Sequence, residues 1–280
     1  MDLKDISNKT VLQQSINKLM NDYETMLIDL SNGSDDDYHK AALLYYWLKE
    51  YKQYLLREKK FNPKFLKSYQ RGDLISVNFG FNIGSEFGGR HYAVVIEDSP
   101  RSSDTLTLIP LRSKKNKDSN GVHWAELELG NDLYNKFTAK VNSQQSDINS
   151  TIRSLNQELE ETKKFIADID ILKKEHEQDT ATEEFTQTIK RMEESSNNRL
   201  TTINQKLANL EKKLSASNRC IQQFASMKFG SVALIKQITT ISKMRIFDPT
   251  NEDSALAGIK LSNEYLDRID EKLRCYYLRK

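Results

Sequence analysis

The sequence predicts an α+β fold in which a small β domain is split by a long antiparallel coiled-coil hairpin. A helical hairpin precedes this domain, and a single helix ends the chain. Short stretches rich in β-branched residues begin at Arg71, stop near Asn142 and resume at Ser231. The interval between Val141 and Lys228 has no glycine or proline, and its apolar residues recur at alternating steps of three and four. These patterns divide the chain into three domains, which are 1–68, 69–140 together with 229–280, and the inserted 141–228.

The charged residues nearly cancel, with 42 Lys and Arg against 40 Asp and Glu, which leaves a net charge of +2. This balance excludes proteins that coat polyanions with their whole surface, so any nucleic-acid site must be local. No cysteine or histidine spacing fits a zinc site, and we expect no metal and no cofactor. Since no apolar stretch is long enough for a signal peptide or a membrane span, the sequence predicts a cytoplasmic protein without membrane contacts.

The first 68 residues predict a helical hairpin. Apolar residues recur at helical spacing over 10–31, and Asn32-Gly33-Ser34 then breaks the pattern. The acidic run Asp35–Asp37 favours the start of a second helix, which is rich in aromatic residues and ends among basic ones. Two interpretations stay open. The hairpin packs on its own β domain, or its aromatic and basic residues form a docking surface for RNA or a regulator.

The β domain begins with four predicted strands, at 74–79, 92–96, 105–111 and 124–129. These stretches are rich in β-branched and apolar residues and are separated by glycines and turn residues. The pattern resumes at 231–235. After Pro249 helical spacing returns and predicts a terminal helix packed on the β domain, with an apolar face of Ile259, Tyr265, Leu266, Ile269, Leu273 and Tyr276.

The insertion carries two apolar seams of the heptad type. The first contains Ile148, Ile152, Leu155, Leu159, Ile166, Ile169 and Leu172, and the second contains Phe185, Ile189, Met192, Ile203, Leu207, Leu210, Leu214, Ile221 and Phe224. The seam is lost over His176–Thr182, which indicates a chain reversal and hence an antiparallel hairpin. Each arm of about 36 residues would reach roughly 54 Å. Such a stalk serves as a spacer, a dimerisation element or a partner-binding arm. The alternative is one long helix that dimerises in parallel, which would separate the two halves of the β domain.

Several motifs of the β domain resemble those of PemK/MazF toxins. They are Arg71–Ile75, the loop Gly84–His91, the strand Ala93–Glu97, Thr107–Leu111 and, in the second half, Gly230–Lys243. The resemblance covers about residues 70–138 and 229–280. It implies an SH3-like small β-barrel, usually in a homodimer with an RNA groove across the dimer face. It also implies metal-independent cleavage of single-stranded RNA by the ribose 2′-hydroxyl, and inhibition by a cognate antitoxin that covers the groove.

Cleavage of this kind needs a base for the 2′-hydroxyl proton, an acid for the leaving oxygen and cations for the phosphate. The resemblance implies catalytic roles for His91, Arg90 and Arg112. The family pattern is altered here. Where members place an arginine, this chain has His91, with Arg90 one position earlier. Arg112 stands where a hydroxyl is common, and Thr239 stands where a basic residue is common.

The expected RNA-binding residues lie in the glycine loop and in the basic run after the third strand. Glycines let backbone N–H groups approach a phosphate closely, and lysines attract the RNA backbone. The alternative for each is an ordinary surface loop. The set comprises Ser85, Glu86, Gly88, Gly89, Ser113, Lys114 and Lys115.

The sequence therefore predicts the toxin of a type II toxin–antitoxin system, acting as an endoribonuclease on single-stranded RNA. One alternative keeps the β domain but makes it a non-catalytic module that binds nucleic acid or protein, with the coiled coil selecting the partner. A third hypothesis is a toxin that poisons DNA gyrase, as some proteins with this barrel do.

Overall fold

The computed structural model describes residues 2–175, 182–225 and 230–278. It is a mixed fold of long helices and one antiparallel sheet. In chain order the elements are α1 (Lys9–Ser31), α2 (Asp35–Arg57), β1 (Leu74–Asn78), β2 (Arg90–Val95), β3 (Thr105–Ser113), β4 (Leu127–Glu128), α3 (Asp132–Glu175), α4 (Glu183–Ala225), β5 (Ser231–Ala233), β6 (Thr239–Ser242), β7 (Ile246–Asp248) and α5 (Asn263–Tyr277).

The sheet runs in the order β4-β5-β3-β2-β1-β7, and β6 pairs with the first part of β3. Strand β3 is long enough to serve two partners, because Thr105–Leu108 pair with β6 and Leu111–Ser113 pair with β5. The end strands β4 and β7 are not paired with each other in the described sheet, so the hydrogen-bonded path is open. The β domain that the sequence predicts is therefore present as an antiparallel sheet, whereas the SH3-like barrel stays a prediction of the family resemblance.

Strands from both sides of the long insertion belong to this one sheet. In the pairing of β3 with β5, Ser113 lies opposite Ser231, and the Lys114 N–H donates to the Gly230 carbonyl at 3.0 Å. Strands β6 and β7 add to β3 and β1. The β pattern therefore resumes at Ser231, as the sequence predicts.

Both faces of the sheet carry a buried core, and alternate residues of β1, β2 and β3 enter different cores. Along β1, Leu74 joins the core beneath α3 and α5, while Ile75 and Val77 join the core on the other face. This follows from the two-residue repeat of a strand. Tyr69 closes the second core, is almost fully buried and donates its hydroxyl proton to the Pro249 carbonyl at 2.7 Å.

Helix α3 starts at Asp132 and not near Asn142, where the insertion was expected to begin. Leu133 and Phe137 lie one helical turn apart, and both are fully buried against the sheet. The first two turns of α3 therefore belong to the core of the β domain and not to the stalk.

The helices α3 and α4 form an antiparallel hairpin within one chain. Glu158 pairs with Lys206 at 2.5 Å, and Lys173, farther along α3, pairs with Glu193, which comes earlier in α4. This arrangement replaces the alternative of one parallel-dimerising helix. The expected reversal at His176–Thr182 lies, up to residue 181, outside the described residues.

The hairpin buries only part of the predicted seam. In each helix the buried residues recur every seven positions. They are Ile148, Leu155, Thr162 and Ile169 in α3, and Ile189, Ser196, Ile203, Leu210 and Ser217 in α4. The seam residues Ile152, Leu207, Leu214 and Ile221 are exposed in the single chain, so the hairpin alone does not bury the whole predicted seam. The reason is geometric, since each helix of a two-helix hairpin has one neighbour and buries one narrow strip.

The N-terminal helices form a hairpin that packs on the end of β1. Glu50 of α2 accepts a hydrogen bond from the Asn78 amide, and Arg245 donates from Nε to the Asn78 carbonyl at 2.7 Å. The Arg245 guanidinium lies 5.4 Å from the centre of the Trp47 ring. Desolvation at this contact raises the pKa of Tyr54 to about 12, with Glu50 adding to the effect. These contacts favour the first of the two interpretations, packing on the chain's own β domain.

None of the helices in the described part of the chain combines the length and the apolar character that a membrane crossing needs.

Candidate functional site

A groove of about 1270 Å³ opens over the strands β1, β2, β3 and β5. Its walls are the glycine loop before β2 and the segment between β3 and β4. Residues from both sides of the helical insertion line it, including His91 before the insertion and Gln237 after it. No described residue of the N-terminal helices is among those lining it, so α1 and α2 do not form its wall.

The glycine loop is closed by backbone contacts that only small residues permit. The Gly89 N–H donates to the Gly80 carbonyl at 2.7 Å, and a Cβ atom on Gly88 would lie 2.8 Å from that same oxygen. Gly89 has φ +82°, a left-handed conformation that favours glycine. The Asn82 amide donates to the Phe87 carbonyl at 2.7 Å. The glycines therefore fix the place where β2 begins.

Gln237 joins the second half of the chain to this loop. Its amide donates to the Ser85 carbonyl at 3.3 Å, and its Oε1 accepts from the Phe87 N–H at 3.4 Å. Sequence reasoning missed Gln237, because a single glutamine within Gly230–Lys243 carries no motif of its own. Only the pairing of β3 with β5 and β6 brings it to the groove.

Arg90 and His91 both line the groove. The Arg90 guanidinium lies 3.9 Å from the centre of the Phe247 ring, and its Nε donates to Ser76 Oγ at 3.4 Å. The His91 ring packs against Phe87 with 4.5 Å between ring centres. Partial burial lowers the pKa of His91 below its ordinary value of 6.5, and a hydrogen bond with the Gly88 backbone opposes that shift. This shift favours the neutral form of His91, which a general base requires.

Arg112 lines the groove, but its donors are already engaged. It donates from Nη1 to Asp118 at 2.6 Å, from Nη2 to Glu126 at 2.5 Å and from Nη1 to the Ser113 carbonyl at 3.1 Å. Further bonds run from Nη2 to Asp118 at 3.1 Å and from Nε to Glu126 at 3.2 Å. The two carboxylates raise the pKa of Arg112 further above its ordinary value. The geometry therefore supports Arg112 as a brace for the β3–β4 segment, in place of the expected phosphate clamp.

His123 is the second imidazole that lines the groove, and sequence reasoning missed it. Its Nδ1 accepts a hydrogen bond from the Ala125 N–H at 3.2 Å, so the ring proton lies on Nε2. The segment that carries His123 is bracketed by Asp118 and Glu126, the two partners of Arg112. The only sequence signal was its position between two predicted strands, which does not place a side chain in a groove.

The remaining predicted residues divide into those that reach the groove and those that do not. Ser85, Ser113, Lys114 and Lys115 line it, whereas Glu86, Gly88 and Gly89 are not among its lining residues. Lys114 is paired with Glu128.

Lys115 has no ion pair to a described residue, and neither has Arg90. Glu86 accepts from the Ile83 N–H at 3.4 Å and belongs to the loop framework. Among the described residues that line the groove, Arg90 and Lys115 are thus the cations without an ion pair.

Among residues 2–175, 182–225 and 230–278, no group of three or more His, Cys, Asp and Glu side chains could hold a metal ion.

Residues 70–174 match the family model of PemK-like, MazF-like toxins of type II toxin–antitoxin systems. The chain contains a PemK/MazF-like toxin domain. Members of this family are RNA-cleaving toxins. The match begins just before β1, includes both walls of the groove and ends within α3. No curated protein matches the chain.

The match to the PemK/MazF-like family covers less than half of the chain and none of the residues after the insertion. The resemblance that we drew for 229–280 is therefore not part of it. The matched residues include Arg90, His91, Arg112 and His123, but not Gln237. Strands β5, β6 and β7 nevertheless pair with β1, β3 and β4.

Proposed function

We propose that this protein is an endoribonuclease toxin that cleaves single-stranded RNA in the groove between the glycine loop and the β3–β4 segment. The observation that carries the proposal is that His91, Arg90 and Lys115 line one groove of a PemK/MazF-like domain, and that neither cation has an ion pair to a described residue. Attack of a ribose hydroxyl on the neighbouring phosphate needs a base that removes the hydroxyl proton. It also needs cations that stabilise the charge on the phosphate.

In the proposed mechanism, His91 removes the proton of a ribose 2′-hydroxyl. The oxygen attacks the adjacent phosphorus, the bond to the 5′-oxygen breaks, and that oxygen takes up a proton from water, while His91 later returns its own proton to the solvent. Arg90 and Lys115 stabilise the negative charge that develops on the phosphate. His123 donates a hydrogen bond from Nε2 to a phosphate oxygen. The products are a 2′,3′-cyclic phosphate and a 5′-hydroxyl fragment, and no step uses a metal ion.

Three further features belong to this proposal. Residues 69–140 and 229–280 act as one functional domain, because Gln237 and His91 line the same groove. A cognate antitoxin covers that groove. The active form is a homodimer, and the hairpin of α3 and α4 supports its assembly or holds a partner.

The second candidate function is a non-catalytic module that binds nucleic acid or protein. The observation in its favour is the engagement of Arg112 by Asp118 and Glu126, which removes one cation from the predicted catalytic set. The two candidates differ in whether the phosphodiester bond is broken.

The test is incubation of the purified full chain with a long single-stranded RNA in the presence of EDTA. We expect cleavage by the unaltered protein and a loss of about 100-fold or more in rate for His91→Ala, the range for a general base. His39→Ala is the matched control, because His39 is exposed on α2 and does not line the groove. RNA that stays intact would favour the binding module, and equal rates for His91→Ala and the unaltered protein would reject His91 as the base.

A further inference from the structure

We propose that Trp124 and Tyr276 form a platform beside the groove on which an unpaired RNA base stacks. This inference rests on the proposed function and adds a binding subsite to it. Trp124 is 65% exposed, although it has the largest apolar side chain of the natural amino acids. Its ring stacks on that of Tyr276, with 4.9 Å between centres and 28° between planes. The stack presents a flat aromatic surface to solvent.

The platform adjoins the groove directly. Trp124 follows His123, which lines the groove, and the centres of their rings lie 5.6 Å apart. A strand of RNA with its scissile phosphate near His91 and His123 would therefore place a neighbouring base close to Trp124. Consecutive nucleotides of an extended strand are spaced by several ångströms, which is comparable to the distance between the ring centres of His123 and Trp124.

Three segments of the chain hold the platform in place. Lys272 of α5 donates to the Trp124 carbonyl at 2.8 Å, and the neighbouring Ala125 is buried. Tyr277 packs edge-on against Tyr276 at 4.8 Å, and its hydroxyl donates to the Lys236 carbonyl at 3.2 Å. Since α5 itself is anchored in the core by residues such as Ile269, the stack is fixed before any ligand arrives.

The chemistry favours a nucleobase over a protein side chain as the occupant. Each base has a flat π-face that stacks on tryptophan or tyrosine, and the adjoining groove holds the uncompensated cations Arg90 and Lys115 for the phosphates. The patch is narrow, since it consists of the rings of Trp124, Tyr276 and Tyr277. The base must be unpaired, because the faces of a base within a duplex are covered by its neighbours.

The experiment uses the full chain with Trp47→Phe, so that Trp124 is the sole source of tryptophan fluorescence in a protein with two tryptophans. The probe is a mixed-sequence RNA oligonucleotide with 2′-O-methyl riboses, which has no free 2′-hydroxyl to react. A matched oligonucleotide with abasic sites carries the same phosphates without bases. We expect the first probe to quench the fluorescence of Trp124 and the second to leave it nearly unchanged.

The affinity of variants with Trp47 intact gives an independent measurement, made by fluorescence anisotropy of the labelled 2′-O-methyl probe. Trp124→Ala should weaken binding by about 5- to 150-fold, the range for the loss of one base stack. Trp124→Phe should keep most of the affinity. Phe65→Ala is the matched control, because Phe65 is 85% exposed and does not line the groove.

The possible failures are distinguishable. If the protein cleaves RNA but Trp124→Ala binds the probe as tightly as Phe65→Ala, the platform is wrong and the proposed function stands. If base-dependent quenching occurs while RNA stays intact, the platform stands and the ribonuclease proposal is wrong. Equal quenching by the abasic and the complete probe would also overturn the platform.

Discussion

His91 packs against Phe87 and is partly desolvated, which affects the pH range over which it can accept a proton. Partial burial lowers the pKa of His91, so the neutral base persists below pH 6.5. We expect the RNA cleavage rate to rise with pH along a limb whose midpoint lies below 6.5, and to be level at neutral pH. Single-turnover rates measured across that range test this. A limb centred above 6.5, or one that persists in His91→Gln, would contradict the assignment.

Arg112 lies between the carboxylates of Asp118 and Glu126 and forms an ion pair with each of them. Arg112→Ala would leave the buried Asp118 and the partly buried Glu126 repelling each other, and we expect the free energy of unfolding to fall by roughly 3 kcal/mol. Arg112→Lys should lower the free energy of unfolding by less, because lysine keeps the positive charge. A loss should remain, because lysine lacks the paired donors of arginine. Urea unfolding measures both. If Arg112→Ala unfolds like the unaltered protein and only RNA binding weakens, Arg112 is a phosphate ligand after all.

Some residues of the candidate site can be predicted from the sequence, and others cannot because they reach the groove only through the fold. The motif identifies Arg90 and His91, and both line the groove, although successive residues of a strand point to opposite faces. The engagement of Arg112 depends on two acidic residues whose approach follows from the fold of the β3–β4 segment. His123 and Gln237 reach the groove through loop conformation and strand pairing, which no local spacing records.

The glycine loop is the element that sets the position of His91. Gly88→Ala would bring a Cβ atom to 2.8 Å from the Gly80 carbonyl oxygen, so the loop backbone must move. We expect RNA cleavage to fall by about tenfold or more, since a displacement near 1 Å is costly to catalysis. The matched control is Gly84→Asn, because Gly84 meets nothing within 4 Å and asparagine tolerates its left-handed backbone. Equal cleavage rates for the two variants would show that the loop does not position the base.

Helices α3 and α4 show what the spacing of apolar residues can predict and what it cannot. The heptad pattern predicts the hairpin of α3 and α4, but it does not tell which of two adjacent apolar rows is buried. Leu155 is buried, and Leu207, also a seam residue, is 44% exposed. Which apolar row is buried depends on the number of helices that pack against each helix.

Strand β7 has three residues, so it is too short to show the alternation by which a strand is predicted from the sequence.

At the scale of the whole molecule, the sheet combines strands from both sides of the hairpin, and the base of the hairpin is part of the core. Phe137 near the start of α3 and Cys220 near the end of α4 are both fully buried in that core. A deletion that keeps the base and joins Ser150 to Ser215 through a short glycine–serine linker should therefore fold and cleave RNA. Thermal unfolding and the cleavage assay measure the two properties.

The matched comparison is a deletion of 132–228, which also removes the buried base of the hairpin. We expect this chain to unfold, because Leu133, Phe137 and Cys220 leave the core. If the shorter deletion also unfolds or loses cleavage, the stalk contributes to the functional domain, and the division at 141 and 228 is wrong.

The central claim is that the groove cuts RNA by attack of the 2′-hydroxyl, and the ends of the fragments test it most directly. After incubation of the full chain with a single-stranded RNA, the chemical groups at each new end are determined. We predict a 2′,3′-cyclic phosphate on the upstream fragment and a 5′-hydroxyl on the downstream one, and no cleavage where the preceding ribose is 2′-deoxy. Fragments with 5′-phosphates, or cuts at 2′-deoxy positions, would contradict this account.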